Sequence, residues 1–116
     1  MLSDQEYYRI KDHSEAGSFY LMWGQCIPEE FDVDEFSYDE NKKIFFEILE
    51  RLLKDNYLKL HKKGKYLSGL IEEQLTDLST AFPKTKEEMQ DGLWFYFDEC
   101  PAEPVWLLND GSLEWS

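Results

Sequence analysis

The chain has 116 residues, with 25 acidic side chains against 12 basic ones and a formal charge of −13. That length holds one hydrophobic core, so a single domain over 1–116 is expected. Aromatic residues make up 16%, which sets the chain apart from disordered sequences that combine high charge with few aromatics. The acidic balance excludes direct electrostatic affinity for nucleic acid or an anionic membrane.

Ser3-Asp4-Gln5-Glu6 has the form of a capping box, and the spacing beyond it predicts a helix over 4–23. Ile10, Ser14, Gly17 and Leu21 share one face of that helix, with Tyr7 and Tyr20 beside it. A glycine inside a helix costs about 1 kcal/mol relative to Ala, so a neighbour should pack closely at Gly17. Gly24 is the expected stop. Residues 25–37 read as a loop, because Pro28 breaks any helix. Ser37-Tyr38-Asp39-Glu40 is a second capping box. The helix it opens, 38–55, carries Ile44, Phe45, Ile48, Leu49, Leu52 and Leu53 as one broad apolar stripe. Asp39 and Glu40 at its start and Lys54 at its end suit the helix dipole.

Tyr57–His61 alternates weakly between apolar and polar residues, Lys62-Lys63-Gly64-Lys65 is a turn, and Tyr66–Ser68 returns as a second short strand. A helix follows over 69–82, with Ile71, Leu75, Leu78 and Phe82 at helical spacing, and Pro83 closes it. Thr85-Lys86-Glu87-Glu88 is a third capping box, opening a helix that uses Met89, Leu93 and Phe97. Pro101 and Pro104 mark a loop. Val105–Leu108 and Ser112–Trp115 then flank Asn109-Asp110-Gly111 as a hairpin with Asx-Gly turn chemistry. The expected fold class is α+β, mainly α, with about four helices and one or two short β-hairpins. A helix followed by the Tyr57–Ser68 hairpin, in winged-helix order, is the alternative.

Charge is unevenly spread. Residues 1–26 hold four acids and two bases, and 27–41 hold seven acids and no base. Residues 42–66 hold three acids against eight bases, and 67–116 hold eleven acids and two bases. One basic segment therefore sits inside an acidic body. The acidic runs have two readings: solvated faces that keep a small protein soluble, or a docking surface for a basic protein. Under the second, Glu29, Glu30, Phe31, Asp32, Asp34 and Glu35 form one candidate partner-binding run, and Asp98, Glu99 and Glu103 another, near Trp106. Phe31 and Trp106 could each be a core residue instead.

Signatures of chemistry are absent. His13 and His61, on different expected elements, lack a nucleophile or metal partner at standard spacing. Asp32-Val33-Asp34 begins like a calcium loop, but Ser37 replaces its sixth-position Gly and Lys43 its twelfth-position Glu. There is no phosphate-binding glycine loop, no H-E-x-x-H and no G-x-S-x-G. No catalytic, cofactor-binding or metal residue is assigned. Tyr57, Lys59, His61 and Tyr66 loosely resemble a single-strand-binding strand, which the surrounding negative charge opposes. Cys26 and Cys100, without a C-x-x-C spacing, are expected to be free thiols. The N-terminus lacks the basic and apolar regions of a signal peptide, and no apolar run approaches the roughly 18 residues that span a bilayer; the expected compartment is the cytoplasm.

In size, acidity, the Ser37–Asp55 amphipathic helix and the aromatic-rich end, Trp94-Phe95-Tyr96-Phe97-Asp98-Glu99 through Trp115, the chain resembles small bacterial immunity proteins of contact-dependent growth inhibition systems. These include an uncharacterised domain family found beside toxin genes. The resemblance implies a cytoplasmic, non-enzymatic protein that binds the toxin domain of a large exoprotein, often a nuclease, and blocks its active site. It assigns no site residue, and the basic segment 42–66 departs from a simple nucleic-acid mimic. The expected function is therefore an inhibitor of a basic toxin domain. An adaptor or regulatory subunit of a cytoplasmic complex is the alternative.

Overall fold

A computed structural model describes residues 2–28, 30–32 and 35–115. Its helices are α1 (Asp4–Ser14), α2 (Phe19–Gln25), α3 (Tyr38–Lys54), α4 (Ile71–Ala81) and α5 (Lys86–Met89), the last continuing into a 3-10 segment, Gln90–Tyr96. Its strands are β1 (Leu58–Lys62), β2 (Lys65–Tyr66), β3 (Glu103–Leu107) and β4 (Leu113–Trp115). The fold is α+β, as the sequence predicts. The strands form one antiparallel sheet in the order β2-β1-β3-β4.

The three capping boxes each place a helix start. The Ser3 hydroxyl accepts from the Glu6 amide (3.2 Å), that of Ser37 from Glu40 (3.4 Å) and that of Thr85 from Glu88 (3.1 Å). In α4 the reverse half of a box is made instead, the Glu73 carboxylate accepting from the Leu70 amide at 3.1 Å. The α3 stripe buries Phe45, Ile48, Leu49, Leu52 and Leu53, and Ile44 lies at its half-buried margin. Asn56 ends the helix with a φ of +63°, a left-handed position that Asn tolerates. Arg51 on α3 lies over the Tyr7 ring (3.9 Å) and bonds Asp4 (2.6 Å), and Tyr7 donates to Asp55 (3.0 Å), so α1 is tied along α3.

The helix expected over 4–23 is two helices. Glu15 leaves helical geometry, Ala16 takes a φ of +65°, and the Ser18 hydroxyl starts α2 by accepting from Leu21. In an unbroken helix the Gly17 carbonyl would accept from the Leu21 amide. The break frees that carbonyl, and Trp106 Nε1–H donates to it at 2.8 Å. The close neighbour expected at Gly17 is present: a Cβ there would meet Leu21 Cδ2 at 2.6 Å. Gly24 does not stop α2, which runs on through Gln25.

The two expected hairpins form, but β1 also pairs with β3, matching Leu58 to Trp106 and Leu60 to Pro104. The hairpins thus merge into one sheet rather than leaving Tyr57–Ser68 as an isolated wing. Lys63 (φ +51°) and Gly64 (φ +83°) make the two-residue turn of the first hairpin, whose paired positive φ values match strand twist. Pro104 lies inside β3 rather than in a loop. Leu107 N–H bonds the Tyr57 carbonyl on the β1 side (2.9 Å), so by alternation Pro104 turns its donorless nitrogen to the β4 side. Among the described residues the β4 ladder covers 105–107 and does not reach Pro104.

The last expected helix also breaks. Gln90, Asp91 and Gly92 hold φ values of +53°, +56° and +98°, which no α-helix continues through. Gly92 is required there, because a Cβ would meet Tyr20 Cδ2 at 2.9 Å. The break turns Trp94 and Phe95 into an aromatic core with Phe19, Trp23, Phe45 and Phe82, ring centroids 5.2–6.0 Å apart. Cys26 and Cys100 are buried free thiols.

Two stability measurements follow from this packing. Leu49→Ala, at a fully buried α3 position, should lower the unfolding free energy by about 2–5 kcal/mol in chemical denaturation; a loss under about 1 kcal/mol, the scale of a surface change, would contradict the α3 packing. Trp106→Phe should cost about 1–3 kcal/mol for the orphaned Gly17 carbonyl alone, and an unchanged midpoint would show that this bond adds nothing.

Candidate functional site

One group of the exposed large apolar residues comes from the two helix breaks. In α2, Phe19, Met22 and Trp23 turn inward at i, i+3 and i+4, which leaves Tyr20 and Leu21 exposed. In the 3-10 segment Trp94 and Phe95 are buried, while Leu93, Tyr96 and Phe97 are exposed, Tyr96 by 62%. The Tyr20 and Tyr96 rings lie 5.9 Å apart at 34°, and Ser18 Oγ stands 3.1 Å from the Tyr96 hydroxyl, which fixes the second ring. Gly92 supplies the flat floor under Tyr20. Asp91, Asp98 and Glu99 are exposed along the same chain segment. Tyr20 and Tyr96 thus form an exposed aromatic pair, with Asp91 beside Tyr20 and the exposed Leu93, Phe97, Asp98 and Glu99 on the adjoining chain segment.

The sequence places Leu21, Leu93 and Phe97 on buried helix faces. The structure exposes all three. Each break shifts the helical phase, so residues that share a face in an unbroken helix separate. The positive-φ run at Gly92 and the Ala16-Gly17-Ser18 step are the only local signals of this.

Of the acidic loop, Glu29 and Asp34 lie outside the described residues. Glu30, Phe31, Asp32 and Glu35 are exposed. The loop is held by turn bonds from Phe31 N–H to the Pro28 carbonyl (3.0 Å) and from Glu35 N–H to the Asp32 carbonyl (3.0 Å). Phe31 is a surface residue whose ring meets Phe36 at 5.2 Å. A groove of ≈ 230 Å³ lined by Tyr20, Ile27, Tyr38 and Asp91 joins the two ends of this loop to the aromatic patch.

The second acidic run divides. Asp98 and Glu99 are exposed just after Tyr96 and Phe97, but Glu103 is not. It sits half-buried in β3 with its carboxylate 3.7 Å from His61 Nε2 and 3.8 Å from Lys62 Nζ. Trp106 is core, with no exposed surface.

The titratable groups are placed structurally. His13 Nδ1 lies 2.8 Å from the Arg9 carbonyl on α1. His61 is buried between Glu103 and the Trp115 ring, whose centroid is 4.8 Å away. Burial, then the bond to Asp55, pushes the Tyr7 phenol up. Burial does the same to Tyr38, whose hydroxyl donates to the Pro83 carbonyl at 2.6 Å, and to the Cys26 and Cys100 thiols. Burial lowers the Lys11 ammonium, but the bond and charge of Glu15 (2.9 Å) raise it further. All of these shifts lead away from neutrality. Among the described residues no group of His, Cys, Asp and Glu has the arrangement of a metal site. Among the same residues no helix is long and apolar enough to cross a membrane.

Among solved structures, the chain is similar to an uncharacterised protein conserved in bacteria, from Neisseria meningitidis. The two share 22% identity and a TM-score of 0.74 over 96% of this chain and 89% of that one. That likeness is one of fold. No curated protein matches. A family model does match, from the end of α3 through β4, over residues 53–116. The chain belongs to the bacterial family described as a protein of unknown function, DUF596.

Proposed function

We propose that the protein is a non-enzymatic inhibitor that binds a basic toxin domain and blocks its active site, acting as an immunity protein in a bacterial toxin system. The observation that carries this reading is the exposed Tyr20–Tyr96 pair with Leu93 and Phe97, bordered by Asp91, Asp98 and Glu99. Binding energy concentrates in a few aromatic anchors, whereas complementary charge speeds encounter and selects the partner. A patch with aromatics at its centre and acids at its edge has both parts. A nuclease must attract phosphate, so its cleft is basic. An inhibitor of net charge −13 is drawn to such a cleft and repelled by the nucleic acid that competes for it. The groove beside Tyr20 runs to Ile27 and Tyr38, which flank the acidic loop at its two ends.

The test is to co-purify the tagged protein with the product of the gene beside its own, then to measure binding kinetics. Tyr96→Ala should weaken the complex by about 2–4 kcal/mol, mainly through faster dissociation. Reversing Glu30, Glu35, Asp98 and Glu99 to Lys should slow association and flatten its salt dependence. A toxin that binds all these variants as it binds the native protein would refute the reading. Capture of a housekeeping complex in place of a toxin would favour an adaptor role.

A further inference from the structure

β4 is an edge of the sheet, whose strands run in the order β2-β1-β3-β4. Leu108 N–H bonds the Ser112 carbonyl (3.0 Å), so Ser112 and Glu114 direct their backbone groups to β3. Leu113 and Trp115 direct theirs to the opposite side, where no strand lies among the described residues. Nothing described covers this edge: all three residues of β4 are exposed, Leu113 and Trp115 by 44% each.

The side chains of β4 divide by face. Leu113 stands opposite Leu107, and Trp115 opposite Val105, on the outer face of the sheet. The Trp115 ring is held there against His61 and Tyr66, with ring centroids 4.8 Å and 5.2 Å away. Tyr66 is itself exposed, so an apolar strip crosses the sheet and ends at Leu113 and Trp115. Glu114, opposite Trp106, stands on the other face. The Asp110 carboxylate holds the turn before β4, accepting from the Ser112 amide (2.9 Å) and hydroxyl (2.6 Å). Along 104–115 there are two acids, Asp110 and Glu114, and no base.

We propose that β4 accepts an extended segment of a partner protein as a fifth strand, with the alternation apolar, basic, apolar. In antiparallel addition the segment exchanges main-chain bonds with Leu113 and Trp115. Residues directly opposite in adjacent strands share a face. Those opposite Leu113 and Trp115 therefore extend the apolar strip, and the one between them meets Glu114 and is basic. Lys59 shares the outer face with Val105, its ammonium 5.5 Å from the Tyr66 ring centre, and so opposes a base on that side. A second copy of this chain fits less well. In the register that bonds both Leu113 and Trp115, the two Glu114 side chains stand directly opposite, where like charges repel. A charge on an edge strand also wards off unselected strands, and Glu114 admits a segment that brings a base. This surface uses neither Tyr20 nor Tyr96, so it stands independently of the inhibitor reading.

The probe is a capped Thr-Ile-Lys-Ile-Thr peptide, with two controls: the same peptide N-methylated at both isoleucines, and its Glu-for-Lys counterpart. Binding is followed by amide NMR with hydrogen exchange. The basic peptide should protect the Leu113 and Trp115 amides and shift the Trp115 indole signal. N-methylation should weaken it by about fivefold or more, the scale of one lost main-chain bond. Glu114→Lys, at an exposed position, should reverse the preference between the basic and acidic peptides. A net charge of −13 attracts any base, so a Glu114→Lys protein that still prefers the basic peptide overturns the proposal. No protection of Leu113 and Trp115 at millimolar basic peptide also overturns it, as does equal binding of the N-methylated or the acidic peptide. Concentration-dependent protection of these amides without peptide overturns it too, assigning the edge to a second copy of this chain.

Discussion

The hydrogen bond from Trp106 Nε1–H to the Gly17 carbonyl, 2.8 Å long, is the constraint around which the rest of the molecule is arranged. Trp106 is completely buried, and an indole N–H buried without a partner carries the desolvation penalty of an orphaned donor. In a continuous helix every mid-helix carbonyl is already taken. The chain supplies a free one by breaking the first helix at Ala16 and restarting it on the Ser18 cap. The bond spans 89 residues, and it pins the sheet to the junction of α1 and α2. Loss of α1 packing and loss of sheet packing are therefore one event, which is the behaviour of a small cooperative domain.

That break also creates the surface on which the functional reading stands. Once α2 is a separate helix, its phase is set by Phe19, Met22 and Trp23 in the aromatic core, and Tyr20 must face outward. The second break, through Gln90, Asp91 and Gly92, brings Tyr96 beside it over a glycine that leaves room for the Tyr20 ring. Two departures from helical geometry thus build one aromatic patch. The acids at its margin are incidental to the core, since none of Asp91, Asp98 and Glu99 is buried.

The charge distribution takes on meaning once it is mapped on this fold. Asp91 lines the groove between Tyr20 and Tyr38, together with Lys86, whereas Glu103 is drawn away to His61 and Lys62. The bases of 42–66 divide between the ends of α3 and the first hairpin. Arg51 and Lys54 serve helix contacts with Asp4, Glu50 and Glu72, and Lys59, Lys62, Lys63 and Lys65 lie on the first hairpin. Like-charged residues close in sequence therefore do different work.

The amino-acid sequence by itself determined the α+β class, α3 with its buried stripe, the three capped helix starts and both hairpin turns. These rest on bonds and periodicities that close within a few residues, such as Ser37 with Glu40 or Lys63 beside Gly64. The two helix breaks, the union of the hairpins through β1 and β3, and the exposure of Leu21, Leu93, Tyr96 and Phe97 were decided only by the tertiary structure. The needs that set them lie far along the chain: a buried indole seeking a carbonyl 89 residues away, Tyr20 lying against Gly92, and a proline tolerated in β3 because β4 pairs one residue later. Local pattern cannot register a partner that arrives only when the chain has folded.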